Sequence, residues 1–173
     1  NSSGTLYVSR DSGSTWTSKD SSRAWAELAV AADGTVMAAT VYNGPIYLST
    51  DSGSTWASTP SGNGAWASLA MSADGSTLAA AIQNGSITLS KNRGASYAAL
   101  SSAGTRNWSS VAMSADGTKL VAAVNPGLIY TSVDSGTSWR AGTLSTNWSS
   151  VASSADGTLL VAGVNGGYIY TST

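Results

Sequence analysis

Cysteine and histidine are both absent from the 173 residues. Without cysteine there is no disulfide framework, no thiolate zinc site and no thiol nucleophile. Without histidine the commonest general base and metal ligand is missing. Charge is scarce too: eight basic and nine acidic residues leave a net charge of −1, so no basic surface is available for nucleic acid or for acidic lipid. No apolar run approaches the ~20 residues of a membrane-spanning helix. The expectation is a chain without cofactor or metal that neither binds nucleic acid nor inserts into a membrane.

Helix-length amphipathic patterns are also lacking. Gly, Ser, Thr, Asn and Asp instead punctuate the chain roughly every eight to twelve residues, the pattern of an all-β protein. Length fits about one domain.

One stretch recurs. Ser49-Thr50-Asp51-Ser52-Gly53-Ser54-Thr55-Trp56 is matched by Ser9 to Trp16 (with Asp11 and Gly13), by Ser90 to Tyr97 (with Asn92 and Gly94) and by Ser132 to Trp139 (with Asp134 and Gly136). From Asp11 to Asp51, to Asn92 and to Asp134 the steps are 40, 41 and 42 residues, a period that points to solenoids, propellers or arrays. An aspartate that accepts backbone N–H groups, followed by a glycine free to take positive φ, closes a tight turn between two strands. The Trp then opens the return strand and is expected to bury its ring against the sheet.

The pattern S-x-D-x-G-x-T-W resembles the Asp-box, or sialidase-type (BNR), repeat, in which it is the turn between the third and fourth strands of a propeller blade. The resemblance implies an all-β β-propeller of about four four-stranded blades of ~41 residues, with Asp11, Gly13, Trp16, Asp51, Gly53, Trp56, Asn92, Gly94, Tyr97, Asp134, Gly136 and Trp139 as structural residues. It does not imply sialidase chemistry, because no arginine triad and no Tyr–Glu pair is recognisable.

Read in order, the repeat divides the chain into a partial blade 1–24, blades 25–65, 66–107 and 108–147, and a partial blade 148–173. Within a unit the expected strands are Trp25 to Ala31, Thr35 to Val41 and Ile46 to Ser49, with a fourth from Thr55 and an Asp33-Gly34 hairpin between the first two. Small residues recur in the second strands (Ala38-Ala39-Thr40, Ala79-Ala80-Ala81, Val121-Ala122-Ala123, Val161-Ala162-Gly163), as suits strands near a crowded centre. The chain starts and ends in a third strand, giving five third strands against four each of the others.

Turns 1–2 and 3–4 share one face of such a blade; turns 2–3 and the links between blades share the other. All four N-x-[ST] sequons, at Asn1, Asn84, Asn107 and Asn147, fall on the second face, as does the length variation. Sequons, sparse charge and abundant Ser and Thr lean towards an extracellular or cell-surface glycoprotein. No signal-peptide pattern opens the sequence, so a secreted origin makes these residues the mature part.

Subtracting the repeat leaves few candidates for chemistry. Asp20 and Glu27 are the only acidic residues outside it, and Glu27 stands where the other copies carry Ser68, Ser110 and Ser150, so a glycosidase pair is not expected and no catalytic residue is assigned. Arg23 and Arg106, each two before a repeat Trp, and Tyr42, the lone aromatic of a 2–3 turn, are the candidate ligand-binding residues. The expected function is a non-catalytic module acting in binding or self-assembly. Its partner would be a second copy joined through terminal strands, or the remainder of a longer chain. The alternatives are a lectin that binds a glycan on the variable face, and a part of a larger glycoside hydrolase.

Overall fold

The computed structural model describes residues 3–172. Alternating side chains and turn-forming residues produce seventeen strands among them and a single 3-10 turn, Ser101–Ala103. Strands β1 (Gly4–Val8) and β2 (Thr17–Arg23) form a two-stranded sheet. Three four-stranded sheets follow: β3 to β6 (Trp25–Val30, Met37–Val41, Ile46–Ser49, Ala57–Ser58), β7 to β10 (Trp66–Met71, Leu78–Ile82, Ile87–Ser90, Ala98–Ala99) and β11 to β14 (Trp108–Met113, Leu120–Val124, Ile129–Ser132, Arg140–Ala141). The last sheet has three strands, β15 to β17 (Trp148–Ser153, Leu160–Val164, Ile169–Ser172).

Every sheet is an antiparallel meander in chain order, and the first strands pack in succession, β3 on β7, β7 on β11 and β11 on β15. This is the blade stacking of a β-propeller. By place in the repeat, β1 and β2 are a third and a fourth strand, and β15 to β17 are a first, second and third. Among the described residues no strand of the last sheet pairs with β1 or β2.

The core lies between blades, and the repeat explains its composition. Ala79, Ala81, Ile87 and Leu89, from second and third strands, pack on Trp108, Val111 and Met113 of the next first strand. Ala38 and Ile46 meet Trp66 and Leu69 in the same way. Ala38, Ala39, Ala79, Ala80, Ala81, Ala122 and Ala123 are fully buried, so the small residues serve close approach of sheets. Ser68 Oγ accepts the Val111 N–H and Ser110 Oγ accepts the Val151 N–H, both at 3.1 Å. The Asp-Gly turns are joined by a backbone ladder: Ala32 N–H to Ala73 C=O at 2.8 Å, Ala73 to Ala115 at 2.8 Å, Ala115 to Ala155 at 2.7 Å.

Three local expectations need correction. The second strand begins at Met37 rather than Thr35, because the Asp33 carboxylate takes both the N–H and the hydroxyl of Thr35. The fourth strand spans only Ala57–Ser58 rather than starting at Thr55, since Asp51 holds Thr55 in the turn. The turn tryptophans are not the deepest rings. Trp56 and Trp139 are half-buried and Trp16 is 62% exposed, whereas Trp108 of a first strand is 1% exposed.

Candidate functional site

In the repeated turn, Asp51 Oδ1 accepts the Thr55 N–H at 2.9 Å and the Ser49 hydroxyl at 2.8 Å, and Oδ2 accepts the Thr55 hydroxyl at 2.7 Å. Ser49 Oγ in turn accepts the Gly53 N–H at 2.9 Å. The Thr55 N–H, then the Thr55 and Ser49 hydroxyls, hold the Asp51 carboxyl down at about 2. Gly53 sits at φ +78, and a Cβ there would come within 2.7 Å of Val8 Cγ2 in the preceding sheet. Asp11 and Asp134 make the same bonds.

Asn92 reproduces the turn with an amide. Its Oδ1 accepts the Ser96 N–H and the Ser90 hydroxyl at 2.9 Å, and its Nδ2 donates to Ser96 Oγ at 2.8 Å. Tyr97, in the Trp slot, receives a hydrogen bond from the Thr59 hydroxyl at 3.3 Å, and burial raises its phenol. These groups are occupied in shaping the chain.

On the opposite face the 2–3 turns pair with the links between blades, through bridges Gly44–Gly64, Gly85–Arg106 and Gly127–Thr146. Arg23 places its guanidinium 4.3 Å from the Tyr47 ring centre and 5.8 Å from that of Trp25, with Nε 3.4 Å from Asp20. Arg106 lies 4.4 Å over Tyr130 and donates from Nε to Ala103 C=O at 3.0 Å. Both thus cap an edge-to-face Trp–Tyr pair and hold it by cation–π attraction. Tyr42 bonds its N–H to the C=O of Ala24, the residue after Arg23, at 2.8 Å, and its ring is exposed. Arg106 belongs to a different junction, so the three do not converge on one pocket. Glu27 is half-buried, and desolvation raises its carboxyl.

The sequons separate by what their amides do. Asn84 is exposed at φ +54 in a 2–3 turn, Asn147 is exposed, and Asn107 donates its Nδ2 to Asn125 C=O. Asn1 lies outside the described residues. Expressed in a glycosylating host, Asn84 is expected to carry glycan and Asn107 to remain bare, because the Asn107 amide nitrogen is turned to the Asn125 C=O, whereas Asn84 is exposed in its turn. Peptide mass mapping before and after glycosidase treatment checks this; full occupancy at Asn107 would contradict it.

Two large clefts lie at the two ends of the blade series, and the sequence reading assigned neither as a site. At one end a cavity of about 530 Å³ is lined by Trp148, Tyr170, Val161, Leu144 and Arg140. Trp148 and Tyr170 meet edge to face at 5.3 Å, as Trp25 does with Tyr47 and Trp108 with Tyr130. Two of the three complete blades add a third ring at 6.4 Å, Trp56 or Trp139. At the other end a cavity of about 410 Å³ is lined by Leu28, Val30, Met37, Tyr7 and Trp16. Leu28 is 60% exposed where its equivalent Leu69 is 7% exposed, and Ile169 is 75% exposed where Ile87 is fully buried. The signal for these residues was available as repeat equivalence: each stands at a position that inner blades cover.

The sequence matches no family model and no curated protein. Similarity is found among solved structures, at low identity in the following cases. A GH74 xyloglucanase from Xanthomonas campestris superimposes with a TM-score of 0.76 at 16% identity, over 96% of this chain and 33% of the enzyme. YCF48 from Cyanidioschyzon merolae gives 0.71 at 17%, over 97% of this chain and 59% of its own. The computationally designed Ika4 protein gives 0.71 at 12%, over 97% of both. The chain therefore spans part of the length of the two natural proteins, and what it has in common with them is the β-propeller fold.

Proposed function

We propose that this chain is a non-catalytic β-propeller module, secreted or exposed at a cell surface, that works by associating with a second copy of itself. The observation that carries the reading is the pair of unlike apolar ends: Leu28 and Val30 uncovered at one, Val161 and Ile169 at the other. Those are the two sides of a contact the chain makes internally three times, so each end fits the other. Contiguous exposed apolar surface of this kind marks an interaction site, and unpaired strand edges template pairing. The bonding within the Ser-x-Asp-x-Gly turns also supports the Asp-box reading, in which the turn is a folding device. The engagement of the repeated aspartates in turn hydrogen bonds supports a structural rather than a catalytic role for them.

Light scattering across a dilution series is the test. The expected result is a species of twice the 17.3 kDa chain mass that dissociates on dilution. A monomer at every concentration would overturn the reading and leave the ends to some other segment.

A further inference from the structure

We infer that the copies join by sharing blades: the β1–β2 hairpin of one copy pairs with β16 of the other and takes the place that β17 holds in the isolated chain. The inference rests on the association reading above and specifies its strands, register and contacts.

The register follows from the repeat. Second and third strands pair as Met37↔Ser49, Ala38↔Leu48, Ala39↔Tyr47 and Thr40↔Ile46, and β16 pairs with β17 as Leu160↔Ser172, Val161↔Thr171, Ala162↔Tyr170 and Gly163↔Ile169. Strand β1 is also a third strand, with Leu6-Tyr7-Val8-Ser9 where β5 has Ile46-Tyr47-Leu48-Ser49. Among the described residues its edge away from β2 is unpaired. In the shared blade Leu160 faces Ser9 of the second copy, Val161 faces Val8, Ala162 faces Tyr7 and Gly163 faces Leu6.

Two strands then do what β17 alone cannot. Replacing β17 by β1 exchanges like backbone pairs, so the ladder bonds roughly cancel. The hairpin also brings a fourth strand and its turn. Tyr7 of the second copy takes the place of Tyr170 against Trp148, and Trp16, exposed in the isolated chain, supplies the third ring that Trp56 and Trp139 supply elsewhere. The 530 Å³ cleft is the space this turn and ring fill.

The junction beyond is equally specified. β15 and β16 come to lie on β3 of the second copy, covering Leu28 and Val30. The Leu28 N–H, equivalent to those of Val111 and Val151, meets Ser150 Oγ, equivalent to Ser68 and Ser110. Among the described residues Ala155 N–H has no acceptor and Ala32 C=O has no donor; across the junction they make the next rung of the backbone ladder. Strand β17 lies wholly on the surface, so it is the strand that yields, whereas β1 buries Leu6 and sets Val8 against Gly53. Two such junctions close two chains into one ring of eight blades.

Because the chain has no cysteine, paired cysteines test the register directly. Cross-strand partners stand at Cα separations within disulfide range. Val8→Cys with Val161→Cys is expected to give, on oxidation, a covalent species of twice the chain mass. Val161→Cys with Thr171→Cys is expected to lock β17 in place and yield a monomer that regains association when reduced, which also reports that the variant folds. Trp16→Ala is expected to weaken association at least tenfold while leaving the thermal midpoint of the isolated chain unchanged. A locked Val161–Thr171 variant that still associates would overturn β17 displacement but leave association itself standing. A Val8–Val161 bridge formed within one chain would mean that the ring closes on itself, overturning both readings. No bridge in an associating variant would refute the register.

Discussion

Trp108→Ala is expected to cost about 3–5 kcal/mol of folding free energy, a large share of the ~5–15 kcal/mol that holds a domain of ordinary stability. The ring is almost wholly buried between two blades, where Ala79, Ile87 and Leu89 pack from one side. It meets Tyr130 edge to face at 5.6 Å and Trp139 at 6.4 Å. Truncation therefore opens a cavity that rigid sheets on both sides cannot collapse to fill. Trp139→Ala removes a half-buried ring and is expected to cost clearly less. Urea midpoints of the two variants decide it, and equal losses would contradict the placing of the first-strand Trp at the inner position.

Acid is expected to unfold the chain over a narrow range. Asp11, Asp51, Asp74, Asp116, Asp134 and Asp156 are each held at about 2 against an ordinary 3.8. A neighbouring Ser or Thr hydroxyl is the main cause for five of them, and the Thr55 N–H for Asp51. A carboxyl whose pKa is lowered by folding binds fewer protons in the folded chain than in the unfolded one. Its contribution is complete above the unfolded value and is lost as pH falls through the folded one. Six groups act together, so sheet circular dichroism should hold above about pH 4 and fall steeply between about pH 4 and pH 2. Glu27, raised by burial, acts in the opposite sense but is a single group. Asp51→Asn with Asp134→Asn should flatten the acid limb, because Asn92 already makes the same turn with an amide. An unchanged denaturant midpoint from about pH 6 to about pH 2.5 would show that these turns do not control it.

Much of this architecture was legible because a repeat states its own rules. The eight-residue turn gave the period, the period gave the strand order, and strand direction sorted the turns onto two faces, on one of which the bridges Gly44–Gly64 and Gly85–Arg106 tie the 2–3 turns to the links between blades. Depth within a blade was less legible. Trp56 and Trp66 are the same residue type at neighbouring repeat positions, and only packing of one sheet on the next assigns the inner place to the second. The candidate ligand residues were the hardest to read: Arg23 and Arg106 share a sequence slot, but their stacking on Tyr47 and Tyr130 depends on a third strand more than twenty residues away. The end clefts escaped because no single residue marks them; Leu28 differs from Leu69 only in what stands in front of it.

The ladder from Ala32 to Ala155 has a direction, each turn donating to the one after it, and every rung uses backbone atoms alone. Copy number is therefore free to change without redesign. A whole unit gained by duplication or lost by recombination within the repeat leaves a donor facing an acceptor at the new seam, whatever side chains the neighbouring units carry. Curvature and the side-chain packing between blades are what has to adapt.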